Sequence, residues 1–151
     1  MIECIAHALR PLCDRVEVVI KHGQHAQSPQ RVLQCEEPIG LPNHPLSGVY
    51  TGLHVLENDD WAVFVPCDTP HITNTQLRKL IDAARMHQGS VASDGLDLHP
   101  LLCCVPRNWV LHAKECLEQG WSAKRFASQL APVVFPKESL KNYNCPKDLA
   151  T

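Results

Sequence analysis

Apolar residues in this chain switch between two spacings. Near the amino end Ile2, Ile5, Ala6, Leu9 and Leu12 recur at helical intervals, so the chain opens on an amphipathic helix that Pro11 limits. Residues 16–20 then read as a strand, 21–30 as a polar loop, and 31–34 as a short second strand. The stretch 36–45 is too rich in Pro, Gly and Asn for regular structure. A helix follows from about Ser47, with Leu46, Val49, Tyr50, Leu53 and Leu56 on one face, and Gly48 and Gly52 let another backbone approach it closely. Residues 61–65, Trp-Ala-Val-Phe-Val, form an unbroken apolar run, the pattern of a strand buried on both faces in a parallel sheet. Thr73 and Gln76 match a capping box, and Leu77, Leu80, Ile81 and Ala84 continue as a helix that Gly89 stops. Strands at 90–93 and 101–105 flank the turn pair Asp94-Gly95. Pro106 begins a helix with Trp109, Val110, Ala113, Cys116 and Leu117 inward and Gly120 at its end. A shorter helix over 122–129, a strand over 133–135, and a cap with a first helical turn from Asn144 complete the pattern.

Strands alternating with helices predict an α/β fold with a largely parallel sheet and right-handed crossovers. At 151 residues the chain is expected to be one domain, 1–151. The hydrophobic share of 44% and charged share of 20% are globular values. A formal net charge of -2, with no Lys/Arg cluster, argues against a nucleic-acid partner. No apolar segment approaches the ~20 residues that cross a bilayer, and the first residues lack the basic and apolar regions of a signal peptide. A cytoplasmic location is therefore expected. The eight cysteines contain no C-x₂-C pair, and several lie in apolar runs, so they read as thiols rather than as zinc ligands or disulfides.

The candidate chemistry lies in Pro66-Cys67-Asp68-Thr69-Pro70, directly after the apolar run. Asp68 falls just past the carboxyl end of a strand, where ligands bind in open α/β sheets. A lone carboxylate there suits Mg²⁺, which takes one or two carboxylates together with phosphate oxygens. Asp68 equally fits a turn or a helix cap. The seven glycines form neither a G-x-G-x-x-G nor a G-x-x-x-x-G-K-[ST] arrangement.

Four segments, in order, resemble the molybdenum cofactor guanylyltransferases, small nucleotidyltransferases of Rossmann-like fold. Pro45-Leu46-Ser47-Gly48 is similar to the family's Pro-Leu-Ala-Gly. Val65-Pro66-Cys67-Asp68-Thr69-Pro70 matches its metal-binding loop residue for residue. His99-Pro100-Leu101 resembles its His-Pro strand. Residues 142–149, Asn-Tyr-Asn-Cys-Pro-Lys-Asp-Leu, resemble its Asn-x-Asn-Thr-Pro-Glu-Asp-Leu ending. Family members begin with a strand, a Gly-Gly loop and a Lys that together cradle a triphosphate. Met1 falls at the helix after that loop.

The resemblance implies a three-layer sandwich with a mostly parallel sheet missing its first strand, an upstream start, and a chain that is poorly stable and binds GTP weakly. It implies transfer of GMP from GTP to molybdopterin, with Mg²⁺ held by Asp68. Glu37 would meet the guanine edge or ribose, Gly48 would admit the nucleotide, and Asn142 and Asn144 would lie near the pterin-side cleft or hold the loop beside it. Against these roles, Glu37 also reads as a solvated loop charge, Gly48 as a helix-packing glycine, and the asparagines as turn and cap formers. GTP and molybdopterin are the implied partners, with molybdenum cofactor biosynthesis proteins or molybdoenzyme chaperones beyond them. The alternatives are a non-catalytic fragment or split-enzyme partner of the same fold, and a cytidylyltransferase or sugar-phosphate nucleotidyltransferase.

Overall fold

In the computed structural model, which describes residues 1–143 apart from 26 and 59, helices and strands alternate as the apolar spacing requires. Helix α1 (Ile2–Leu9) closes at Arg10, one residue before Pro11, and Leu12 still packs against the core. Strand β1 (Glu17–Ile20) follows. Strand β2 (Leu33–Glu36) begins two residues later than its apolar pattern suggests, because Arg31 adopts a left-handed backbone with φ 68. Irregular chain then leads to α2 (Leu46–His54), which buries Leu46, Val49 and Leu53. After β3 (Trp61–Phe64) comes α3 (Asn74–His87). Its capping box is complete: Gln76 N–H donates to Thr73 Oγ1 at 3.2 Å, and Thr73 N–H donates to Gln76 Oε1 at 2.9 Å. Gln88 takes the left-handed position that ends α3, and Gly89 follows at φ +141. A Cβ on Gly89 would stand 2.7 Å from Leu130 Cδ2, so both backbone and packing require glycine there.

Strands β4 (Ser90–Ser93) and β5 (Leu98–Pro106) form a hairpin. Its register shifts between Val91 and Ala92, opposite the stretch holding Pro100, which has no N–H to give to the ladder. A 3₁₀ turn (Arg107–Trp109) leads into α4 (Val110–Gln119), which ends at Gly120 in the left-handed region. The short α5 (Ala123–Ala127), capped by Ser122, β6 (Ala131–Val134) and a 3₁₀ turn (Lys137–Leu140) follow. The expected cap and helical turn from Asn144 lie outside the described residues.

The strands form two sheets. β1 and β2 pair in parallel, and the other four run in the order β3-β5-β4-β6. β3 and β4 both pair antiparallel with β5, while β4 and β6 are parallel, so three strands share one direction and β5 alone is reversed. Strand alternation splits the core between the faces. Leu102 and Cys104 join Ile5 and Leu9 of α1 and Leu77, Leu80 and Ala84 of α3. Cys103 and Val105 join α2, α4 and α5 around Phe126. The result is three layers, helix on sheet on helix.

One expectation is corrected. The run 61–65 is not a strand buried between parallel neighbours: β3 ends its sheet, pairs antiparallel with β5, and all four of its residues are only half-buried. Apolar content reports how buried a strand is suited to be, not which neighbour the topology supplies.

Candidate functional site

The carboxyl end of β3 delivers the 66–70 loop into a tight turn. Thr69, buried, donates its hydroxyl to Pro66 O at 2.8 Å and its N–H to the same carbonyl at 3.3 Å. This turn leaves Asp68 half-exposed, and among the described residues no donor reaches its carboxylate. Its backbone carbonyl is engaged instead, accepting the N–H of Tyr143 at 2.7 Å. Tyr143 is buried and meets the ring of His71 edge-on, 4.9 Å between centroids. The contact carries the 141–143 segment to the Asp68 loop and sets Asn142, exposed, beside it. Asn144 lies outside the described residues.

The same loop lies at the start of α1. Ile2 and Cys67 line one cavity. Burial pushes the Cys67 thiol above its ordinary pKa and the Asp68 carboxylate adds to that, while the amino group of Met1 pulls it back down. The first N–H groups of α1 have no side-chain cap and are left for whatever stands nearby.

Glu37 and Gly48 come together on the other side. The N–H of Glu37 donates to Ile20 O at 2.8 Å, which holds it at the end of the β1–β2 ladder. A Cβ on Gly48 would lie 3.9 Å from Glu37 Oε1 and 4.0 Å from Val19 Cγ1. Glu37 is half-buried, and no described donor reaches its carboxylate. Its neighbour Glu36 is committed: Oε1 accepts the N–H of Gly23 at 3.1 Å and stands 2.5 Å from His22 Nδ1. Glu37 is therefore the carboxylate left open at this strand end.

Pro45 and Gly48 from the start of α2 line the same cavity as Pro66 and Cys67. The starts of α1 and α2 and the carboxyl end of β3 thus open onto one space, with Gly48, which neighbours Glu37, and Cys67, which precedes Asp68, in its lining. His99, from the His-Pro pair, stands apart in β5, 3.9 Å from Asp94 Oδ2 at the hairpin turn.

The donor set bears on a metal directly. Among the described residues no three His, Cys, Asp or Glu side chains converge on one point, so no all-protein cation cage forms. A single free carboxylate is nevertheless what Mg²⁺ uses when phosphate oxygens and water complete its shell, and Asp68 fits that pattern. Two features had no sequence signal. Lys21, one residue past β1, donates its Nζ to Asn43 Oδ1, tying the β1 end to the approach of α2. The tie from Tyr143 to Asp68 is a backbone contact, which side-chain identity does not encode.

Residues 1–133 match the MobA-like NTP transferase domain. A molybdenum cofactor guanylyltransferase of Mannheimia succiniciproducens is 41% identical over 107 residues, which are 70% of this chain and 56% of that protein. The chain spans about half the length of several curated relatives that it matches. Among solved structures, the molybdopterin-guanine dinucleotide biosynthesis protein A of Archaeoglobus fulgidus superposes with TM-score 0.72 at 15% identity, over 99% of this chain and 81% of that one. The 2-C-methyl-D-erythritol 4-phosphate cytidylyltransferase of Thermus thermophilus superposes with TM-score 0.75 at 12% identity, over 98% and 84%. These two likenesses establish the Rossmann-like nucleotidyltransferase fold, and the match over 1–133 establishes kinship: the chain belongs to the MobA-like NTP transferase domain family.

Proposed function

We propose that this domain serves guanylyl transfer, moving GMP from GTP to the terminal phosphate of molybdopterin with release of pyrophosphate. The observation that carries the reading is Asp68, a carboxylate past the end of β3 that no described group neutralises, in a family of nucleotidyltransferases. In the reaction a phosphate oxygen of molybdopterin attacks the α-phosphorus of GTP in line, and the bond to the β-phosphate breaks as pyrophosphate leaves. Two anions must be brought together, so the work is positioning and charge neutralisation. Asp68 would hold Mg²⁺, which supplies positive charge to the phosphate oxygens. Glu37 accepts hydrogen bonds from the N–H groups of a guanine edge or from a ribose hydroxyl. Gly48, with no side chain, lets the nucleotide approach the start of α2. Asn142, beside the Asp68 loop, would serve the acceptor side, a role that the sequence resemblance also gives to Asn144.

Asp68→Asn tests the reading. Asn is nearly as good a cap as Asp, so a structural Asp68 tolerates the change and a metal ligand does not. Pyrophosphate release from GTP and molybdopterin is expected to fall by about a hundredfold or more, with the melting temperature nearly unchanged. Loss of Mn²⁺–GTP binding, followed by electron paramagnetic resonance, is the readout independent of turnover. Equal Mn²⁺ affinity in both proteins returns Asp68 to a structural role. GTP against CTP in the same assay separates guanylyl from cytidylyl transfer.

The non-catalytic reading draws on a different observation, the open division between the two sheets. It predicts Mn²⁺–GTP binding no tighter than that of Asp68→Asn and no pyrophosphate release above background.

A further inference from the structure

Residues 139–143 pass back along residues 68–76 and are fastened to them at both ends. At one end Gln76, which closes the α3 capping box, donates an Nε2 hydrogen to Ser139 Oγ at 2.7 Å. Next along, Leu140 is buried in the cluster that holds Ile72 and Leu77. At the other end the N–H of Tyr143 donates to Asp68 O at 2.7 Å, and the Tyr143 ring meets His71 edge-on. Lys141 covers the same ring, its Nζ 5.6 Å from the centroid. Tyr143 is buried, yet it belongs to none of the three apolar clusters. Its ring contact among the described residues is with the loop that follows Asp68.

This arrangement bears on Asp68 more than on the core. No described donor reaches the Asp68 carboxylate, so its direction is set by the backbone that carries it. That backbone is pinned twice. Thr69 closes the turn on Pro66 O with its hydroxyl and its N–H, and Tyr143 holds the carbonyl of Asp68 itself. Mg²⁺ demands near-ideal octahedral geometry, and a ligand serves it only when held to within about 0.5 Å of its place.

We propose that residues 139–143 form a strap that fixes the direction in which Asp68 presents its carboxylate to a cation, with Tyr143 and His71 as its positioning residues. The inference rests on the reading of Asp68 as the metal ligand. Neither ring touches the cation. Removing either one leaves the Tyr143 N–H in place but takes away what presses it against the loop.

The test compares Mn²⁺–GTP affinity, followed by electron paramagnetic resonance, across variants of the full chain. Tyr143→Ala and His71→Ala are each expected to bind roughly tenfold more weakly than the wild type, the effect typical of groups that orient a metal ligand. Tyr143→Phe and His71→Phe keep an aromatic edge at the contact and are expected to bind as the wild type does. Affinity for GTP in EDTA is expected to be equal in all five proteins, because the strap acts on the cation's ligand and not on the nucleotide. His71 is exposed, so His71→Ala decides the matter alone if Tyr143→Ala does not fold. The proposal is overturned if the alanine variants bind Mn²⁺–GTP as tightly as the wild type, if the phenylalanine variants lose as much as the alanine ones, or if metal-free GTP binding falls in parallel. In those outcomes a wild type that still binds Mn²⁺–GTP more tightly than Asp68→Asn leaves the reading of Asp68 standing. A wild type no tighter than Asp68→Asn overturns both.

Discussion

The four-stranded sheet and the β1–β2 pair are built from similar residues and held very differently. Around the larger sheet, two clusters of fully buried side chains press on opposite faces, with Leu77, Leu80 and Leu102 on one and Leu46, Phe126 and Val105 on the other. Around the pair, the buried set is Ala6, Val18 and Val32, and Leu33 on β2 is 54% exposed. The candidate site straddles the two: Glu37 stands on the lightly held pair, and Asp68 on the loop leaving the well-held sheet. Elements that receive ligands are drawn from the less stable end of a structure, and here that end holds Glu37, the carboxylate proposed for the base or ribose.

Core truncation sharpens the contrast most. Phe126 is fully buried, so Phe126→Ala is expected to cost about 3–5 kcal/mol in urea unfolding. Val18→Ala removes less surface at a site with fewer neighbours and is expected to cost about 1–2 kcal/mol. Equal losses would show that the pair is as cohesive as the sheet, and the comparison would fail.

Gly52 tests the border between the regions. A Cβ there would meet Phe64 Cε1 at 2.6 Å, so the ring on β3 must move for α2 to keep its place. Gly52→Ala is expected to destabilise by about 1–3 kcal/mol. A neutral result would mean that the half-buried ring swings freely into the cavity.

Thiol labelling reads the same contrast without mutation. Burial pushes the Cys104 thiol up to about 12 and raises that of Cys103 further. Both are expected to react with a thiolate-selective reagent at pH 8 only as fast as the protein unfolds, while exposed Cys4 reacts at once and Cys35, half-buried on β2, at an intermediate rate. Labelling of Cys103 or Cys104 at the rate of Cys35 would place the sheet core and the pair on one footing.

The smallest effect is at the β4–β5 turn. The backbone N–H groups of Asp97 and Leu96 donate to Asp94 and hold its carboxyl below the usual carboxylate range. A depressed folded-state pKa contributes stability above the unfolded value of about 3.9 and loses it as pH falls through the folded value. The melting-temperature gap between the wild type and Asp94→Asn is thus expected to start narrowing as pH falls below about 4 and to close below the depressed folded value. A gap that does not narrow at all between pH 7 and the lowest pH at which both proteins stay folded would show that the turn owes nothing to the charge.

Much of this was legible in the residues. The α3 capping box, the Gly120 stop, the hairpin around Asp94-Gly95 and the inward faces of α2 and α4 all follow from local rules acting over a few residues. The turn that presents Asp68 was legible for the same reason, because two prolines and a Thr constrain it locally. β2 slipped because Arg31 occupies a backbone region its side chain gives no reason to expect.

What the sequence by itself determined is the succession of elements, their buried faces and the position of Asp68 after a strand, since each depends on spacing and on backbone preferences within one segment. Only the tertiary structure decided that β5 runs against its neighbours, that Glu37 meets Gly48, that Tyr143 clasps the Asp68 loop, and that β1 and β3 face each other across an apolar gap. Those are contacts between residues far apart in the chain. Which strand lies beside which is settled by how whole layers pack, and no local pattern carries that information.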